Sequence, residues 1–88
     1  SLSYLRDLPI SLIKLDKNFA ATIDLSDTKE LVRFVVNISD NLGLDMIVEG
    51  IETEDQKNIF LELGCKRGQG YFFHRPEFLE DFAGNLDE

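Results

Sequence analysis

Apolar positions change their spacing several times along the chain, and each change marks an element. Leu2, Leu5 and Leu8 recur at helical spacing until Pro9 stops them. Residues 10–16, ISLIKLD, form an apolar run holding one lysine and read as a strand. Residues 17–26 read as a connection that contains Phe19 and ends in DLSD. Leu31, Phe34, Val35, Ile38 and Leu42 then fall on one helical face. Asp27 with Glu30 has the capping-box pattern, with Ser26 as the alternative cap. Gly43 stands where a left-handed residue ends a helix, and Leu44 supplies the accompanying apolar contact. Residues 44–49, LDMIVE, are a second strand. Thr53 and Gln56 form another capping box, Ile59, Phe60 and Leu63 an inner helix face, and Gly64 its end. Residues 69–73, QGYFF, are a third strand closed by Pro76, and EFLEDFAGNL suggests a terminal helix.

The order α-β-α-β-α-β-α predicts a parallel sheet with right-handed crossovers. It fits a doubly wound sheet or part of a (β/α) barrel equally well, and no internal repeat or low-complexity segment alters it. Parallel sheets are normally covered on both faces, yet these helices cover one face and part of the other. Both sheet edges also remain open to another chain. The expectation is a piece of a larger fold, or one that completes itself by self-association. The opening SLSYLRDLP accordingly reads as the tail of a helix cut from something longer.

Composition narrows the function. With 88 residues the chain is one domain at most. A domain of this size buries only about 60–65% of its unfolded surface. There are 17 acidic and 9 basic residues, a net charge of −8, and no Lys/Arg cluster. A groove for a nucleic-acid polymer is therefore not expected. A small phosphate-bearing ligand remains compatible if metal ions supply positive charge. The single cysteine, Cys65, allows no intrachain disulfide, which fits a reducing compartment. No apolar run approaches the roughly 20 residues that span a bilayer, and no signal-peptide pattern opens the chain. A cytoplasmic location is expected, with membrane tethering of a parent protein left open.

The polar residues that remain collect at strand ends. Lys14 and Asp16 lie at the C-terminal end of the first strand, Glu49 at that of the second, and Glu52 in the loop beyond. Active sites of α/β barrels and open α/β sheets form at these carboxyl ends. Gln69 conflicts mildly, because it opens the third strand. One ammonium and two or three carboxylates suit metal-assisted hydrolysis of a phosphodiester: a glutamate holds a hard cation or acts as general base, and a lysine steadies an oxyanion. Structural readings stand beside these. Lys14 can blunt an edge strand or send its amine to solvent. Asp16 reads more readily as a turn or cap residue. Glu49 ends a buried run before a glycine and is balanced between the two readings. Glu52 can favour a helix N-terminus, and Gln69 can be an ordinary loop residue. Cys65 reads as a small buried apolar residue. His74 and Arg75 are placed in an exposed loop.

Taken together, LPISLIKLDKNF, VEGIETEDQ and LGCKRGQGYFFHRP resemble the C-terminal part of EAL domains, bacterial phosphodiesterases that hydrolyse cyclic di-GMP to linear pGpG. Their usual patterns are K-[IL]-D-x-x-F, A-E-G-[VI]-E-T-x-x-Q and G-C-x-x-x-Q-G-Y with a later proline. This chain departs mainly at Val48, where alanine is common. The resemblance covers nearly all 88 residues and makes residues 1–88 a partial EAL domain. It implies an α/β fold, the last three βα units of a modified TIM-like (β/α) barrel. It makes Lys14 and Glu49 catalytic, Glu49 as general base or as a ligand of a second metal, and Gln69 and Glu52 substrate-binding residues. The role of Asp16 it leaves unspecified. Mg²⁺ or Mn²⁺ is the implied cofactor of the intact domain and cyclic di-GMP its partner. The E-A-L signature, an asparagine and a second glutamate ligand, and an Asp-Asp pair are not among these residues. The chain alone is therefore expected to bind no metal and to be inactive. The alternative is a degenerate EAL domain serving as a cyclic di-GMP receptor or a protein-interaction module.

Overall fold

The computed structural model describes residues 11–70 and 77–82. The element order is β1 (Leu12–Leu15), α1 (Lys17–Ala21), α2 (Ser26–Leu42), β2 (Asp45–Ile51), α3 (Glu54–Glu62), β3 (Arg67–Gly70), β4 (Glu77–Phe78) and a 3₁₀ turn, Leu79–Phe82. The expected helix over Leu2–Leu8, the strand residues beyond Gly70 and the loop at His74 and Arg75 lie outside the described residues.

The sheet runs β1-β2-β3-β4. β1 and β3 flank β2 in parallel, joined through α1–α2 and α3, as the alternating pattern predicts. β4 differs: it pairs antiparallel with β3. The helix expected over EFLEDF is thus replaced by a two-residue strand and one 3₁₀ turn. Leu79 is fully buried, and its N–H donates to the Lys66 carbonyl at 2.7 Å. That anchorage to the start of β3 overrides the local helical spacing.

A second correction concerns residues 17–26. They hold the five-residue helix α1 rather than a plain connection. Asp16 creates it by capping, accepting the Asn18 N–H at 2.8 Å. The structural reading of Asp16 is therefore the one realised.

α2 buries a different stripe from the one expected. Val32, Val36 and Ser39 face the core, one position along from Leu31, Val35 and Ile38. Leu31 and Phe34 are 49% and 60% exposed. Ser39 explains the shift. Its hydroxyl donates to the Val35 carbonyl at 2.9 Å, so a serine enters the core with its polar group satisfied. The helix starts after Leu25 without a side-chain cap, so neither Asp27–Glu30 nor Ser26 caps it. Its end follows expectation: Leu44 N–H reaches Ser39 O at 2.9 Å, and Gly43 N–H reaches Asp40 O at 3.4 Å, the paired bonds of a Schellman turn.

α3 has the predicted capping box at Thr53 and Gln56, and Phe60 and Leu63 enter the core. Lys57 is also buried, at 1% exposure, which its charge would not suggest. No buried side-chain nitrogen or oxygen among the described residues lacks a partner. The apolar core joins Leu15, Val48 and Ile51 of the strands to Val32, Val36, Phe60 and Leu79. Among the described residues, no helix is long and apolar enough to cross a membrane.

Candidate functional site

Strand register decides which polar side chains meet. Lys14 pairs with Ile47, and Ile47 with Arg67. Leu15 pairs with Val48, and Val48 with Gly68. Register partners share a face and neighbours along a strand alternate. One face therefore carries the row Leu15–Val48–Gly68, buried against the helices. The opposite face carries Lys14–Ile47–Arg67 and, two residues further along β2, Glu49, in register with position 69. Ile47 is buried yet stands outside the helix-side apolar cluster, as a residue of the other face must.

The backbone thus places positions 14, 49 and 69 on one face of the sheet. Strand spacing and rise put the Cα atoms of Lys14 and Glu49 about 8 Å apart on the diagonal. Lys14 is exposed and Glu49 half-buried. The conflict over Gln69 disappears, because β3 begins at Arg67 and position 69 stands level with Glu49. β3 consists of an arginine, a glutamine and two glycines, and this lack of apolar residues hid that start.

Glu52 lies just beyond β2, exposed, in the loop that leads into α3. Gly50, next to last in β2, sets how the chain enters this loop. Its φ is 78°, a left-handed conformation that side chains disfavour. A Cβ there would meet Lys17 Cβ at 2.6 Å. The loop therefore runs against the first turn of α1. A groove lined by Lys17, Asn18, Gly50, Glu52 and Gln56 lies between them. Sequence reading missed Lys17 and Gly50, although a glycine between two motif glutamates hints at close backbone approach.

Elsewhere the chemistry is quiet. A cavity lined by Ser39, Asp40, Met46 and Cys65 lies at the N-terminal ends of β2 and β3, away from Glu49. Burial, then the nearby Asp40 carboxylate, pushes the Cys65 thiol up to about 12, so it behaves as the inert apolar residue expected. For a hard divalent cation, Glu49 and Glu52 supply oxygen donors of the right kind. Among the described residues, no group of three or more His, Cys, Asp or Glu side chains comes together. They can supply only part of a ligand shell.

Parallel strands joined by helices, with polar positions on one face toward their carboxyl ends, are the arrangement of a segment of an α/β barrel. The family model for the EAL domain matches residues 1–76, and the chain belongs to that family. It is 41% identical over 86 residues to the cyclic di-GMP phosphodiesterase PA2567 of Pseudomonas aeruginosa, covering 91% of this chain and 14% of that protein. It is 38% identical over 90 residues to the cyclic di-GMP phosphodiesterase RocR of the same organism, covering 97% of this chain and 23% of that protein. The chain thus spans less than a quarter of these curated relatives. Among solved structures it resembles the PaMucR phosphodiesterase in complex with c-di-GMP, with a TM-score of 0.76 and 36% identity over 93% of this chain and 34% of that one. An EAL domain protein from Listeria monocytogenes EGD-e gives a TM-score of 0.74 and 33% identity over 99% and 36% of the two chains. The fold is that of EAL domains, a TIM-like barrel, and this chain supplies part of it.

Proposed function

We propose that residues 1–88 form part of one EAL domain that hydrolyses cyclic di-GMP to pGpG, with Mg²⁺ or Mn²⁺ as cofactor. One observation carries the reading: the register brings positions 14, 49 and 69 to one sheet face, with Glu49 toward the carboxyl end of β2. Similarity to relatives that are cyclic di-GMP phosphodiesterases supports it.

In this reading Glu49 and Lys14 are catalytic. Glu49 takes the proton of the attacking water or, as a carboxylate ligand, holds a divalent ion. A P–O bond to water oxygen forms as the bond from phosphorus to the ribose 3′ oxygen breaks, and the released alkoxide takes up a proton. The Lys14 ammonium stabilises the charge that builds on the phosphoryl oxygens. Gln69 and Glu52 hold the substrate. The ion, when bound, supplies Lewis-acid polarisation of the phosphoryl group and of water. The domain works in the cytoplasm.

The 88-residue chain by itself is proposed to be inactive, because the carboxylates among its described residues supply only part of a ligand shell. It is also proposed to self-associate through the outer edge of β1, which has no strand partner among the described residues. Light scattering that finds a folded monomer at micromolar concentration would remove the self-association.

The enzymatic reading is tested by incubating the full-length protein with cyclic di-GMP under Mg²⁺ or Mn²⁺. Formation of pGpG is expected. Binding without turnover would replace the enzyme with a receptor, and neither binding nor turnover would refute both.

A further inference from the structure

We infer that Gln56 is a positioning residue whose carboxamide clasps the Glu52 loop to helix α1, fixing Glu52 relative to Lys14 and Glu49. Its Oε1 accepts the N–H of Glu52 at 2.7 Å and of Thr53 at 3.1 Å. Its Nε2 donates to the carbonyl of Ala20 at 3.0 Å, across 36 residues of sequence. The capping box explains only the first half of this arrangement. A glutamate at the same place serves a capping box equally well, because accepting is all the box requires. The bond to Ala20 needs a donor, which the amide nitrogen has and an ionised carboxylate lacks.

The receiving element needs such support. α1 has five residues, too few to be stable alone. Asp16 secures its start. Its last carbonyls lie outside the regular helical ladder; that of Ala20 accepts only a long bond from the Ile23 N–H, at 3.4 Å, beside the one from Gln56. Gly50 meets α1 at Lys17, one turn before Ala20 on the same side. The end of β2 and the loop after it, residues 50–53, are thus fastened at two points to the helix that begins three residues after Lys14. Glu49 does not depend on this clasp, since it lies within β2 and is paired with position 69 of β3. Glu52 lies outside the strand and does depend on it.

The kinetic part of this inference rests on the hydrolase reading, and the structural part does not. The test is Gln56→Glu in the full-length protein, beside Gln56→Ala. Gln56→Glu keeps the acceptor of the capping box and removes the donor. Amide exchange at Thr22 and Ile23, at the end of α1, should quicken about 2- to 10-fold, the range one hydrogen bond supplies. The amides of Glu52 and Thr53, which donate to the residue-56 side-chain oxygen, should keep their protection in Gln56→Glu and lose it in Gln56→Ala. KM for cyclic di-GMP should rise by a similar factor with kcat nearly unchanged, because Glu49 stays in place. Unchanged exchange at Thr22 and Ile23 would overturn the clasp. Faster exchange with unchanged KM, or with a fall in kcat alone, would overturn the positioning of Glu52. If the unmodified protein hydrolyses nothing, the enzymatic reading fails and exchange alone decides the clasp.

Discussion

The two faces of the β1–β2–β3 sheet are built from the same few residues and could hardly differ more. Leu15, Val48 and Gly68 line one face; the first two are 4% and 0% exposed beneath the helices. Positions 14, 49 and 69 lie on the other, one residue away along each strand. A slip of one residue in register would carry Lys14 and Glu49 into the apolar layer and turn Leu15 and Val48 outward. The packed face therefore enforces the geometry of the polar one. Burying Val48 and Phe60 fixes the face on which Glu49 lies. The packed face carries the fold and the opposite face the proposed chemistry, so substitutions should separate them.

The largest structural effect should come from the packed face. Phe60→Ala removes a fully buried ring from α3 and should cost about 3–5 kcal/mol in denaturant unfolding of the domain. A cost below about 1 kcal/mol would show that this face does not govern the fold. Gly68→Val tests the same layer by overfilling. A Cβ at Gly68 would meet Leu79 Cδ2 and lie 2.7 Å from Ile51 Cδ1, so a loss of about 1–3 kcal/mol is expected.

Cys65 gives a smaller effect that depends on pH. Its folded thiol is raised to about 12 from 9.0, by burial and then by Asp40. The unfolded chain therefore releases this proton first. The stabilisation is complete below pH 9.0 and is lost as pH rises toward 12, at a limiting slope of about 1.4 kcal/mol per pH unit. Cys65→Ala should flatten unfolding free energy against pH above 9.0, and an unaltered slope would contradict the buried assignment. The smallest effect belongs to Phe34→Ser. Phe34 is 60% exposed, so stability should change by no more than about 0.5 kcal/mol.

That last residue also shows what the sequence could and could not convey. The alternation of parallel strands with helices and the capping box at Thr53 were legible, because each is encoded locally by spacing and by residue type. The inner face of α2 was not. A size-weighted pattern favours Leu31 and Phe34, whereas the fold buries Ser39 by satisfying its hydroxyl within the helix. α1 escaped for a related reason: five residues leave no periodicity, and only the Asp16 side chain marks its start. β4 escaped because a tertiary bond from Leu79 to Lys66 sets it. At the site, Lys14, Glu49 and Glu52 could be nominated from strand ends. Gln69 became consistent with them only through its register with Glu49. Gln56 was visible as a helix cap, but its bond to Ala20 joins two units 36 residues apart and leaves no local trace.

The central claim, that the polar face performs phosphodiester hydrolysis while the packed face carries the fold, rests most directly on Glu49. The decisive measurement is pGpG formation by the full-length protein and by its Glu49→Gln variant under Mg²⁺ or Mn²⁺, with the denaturation midpoint recorded for both. The account predicts turnover by the unmodified protein, a loss of about 10²-fold or more in the variant, and nearly equal midpoints. A Glu49→Gln variant that turns over at the unmodified rate, or one that loses activity only because it unfolds, would contradict it.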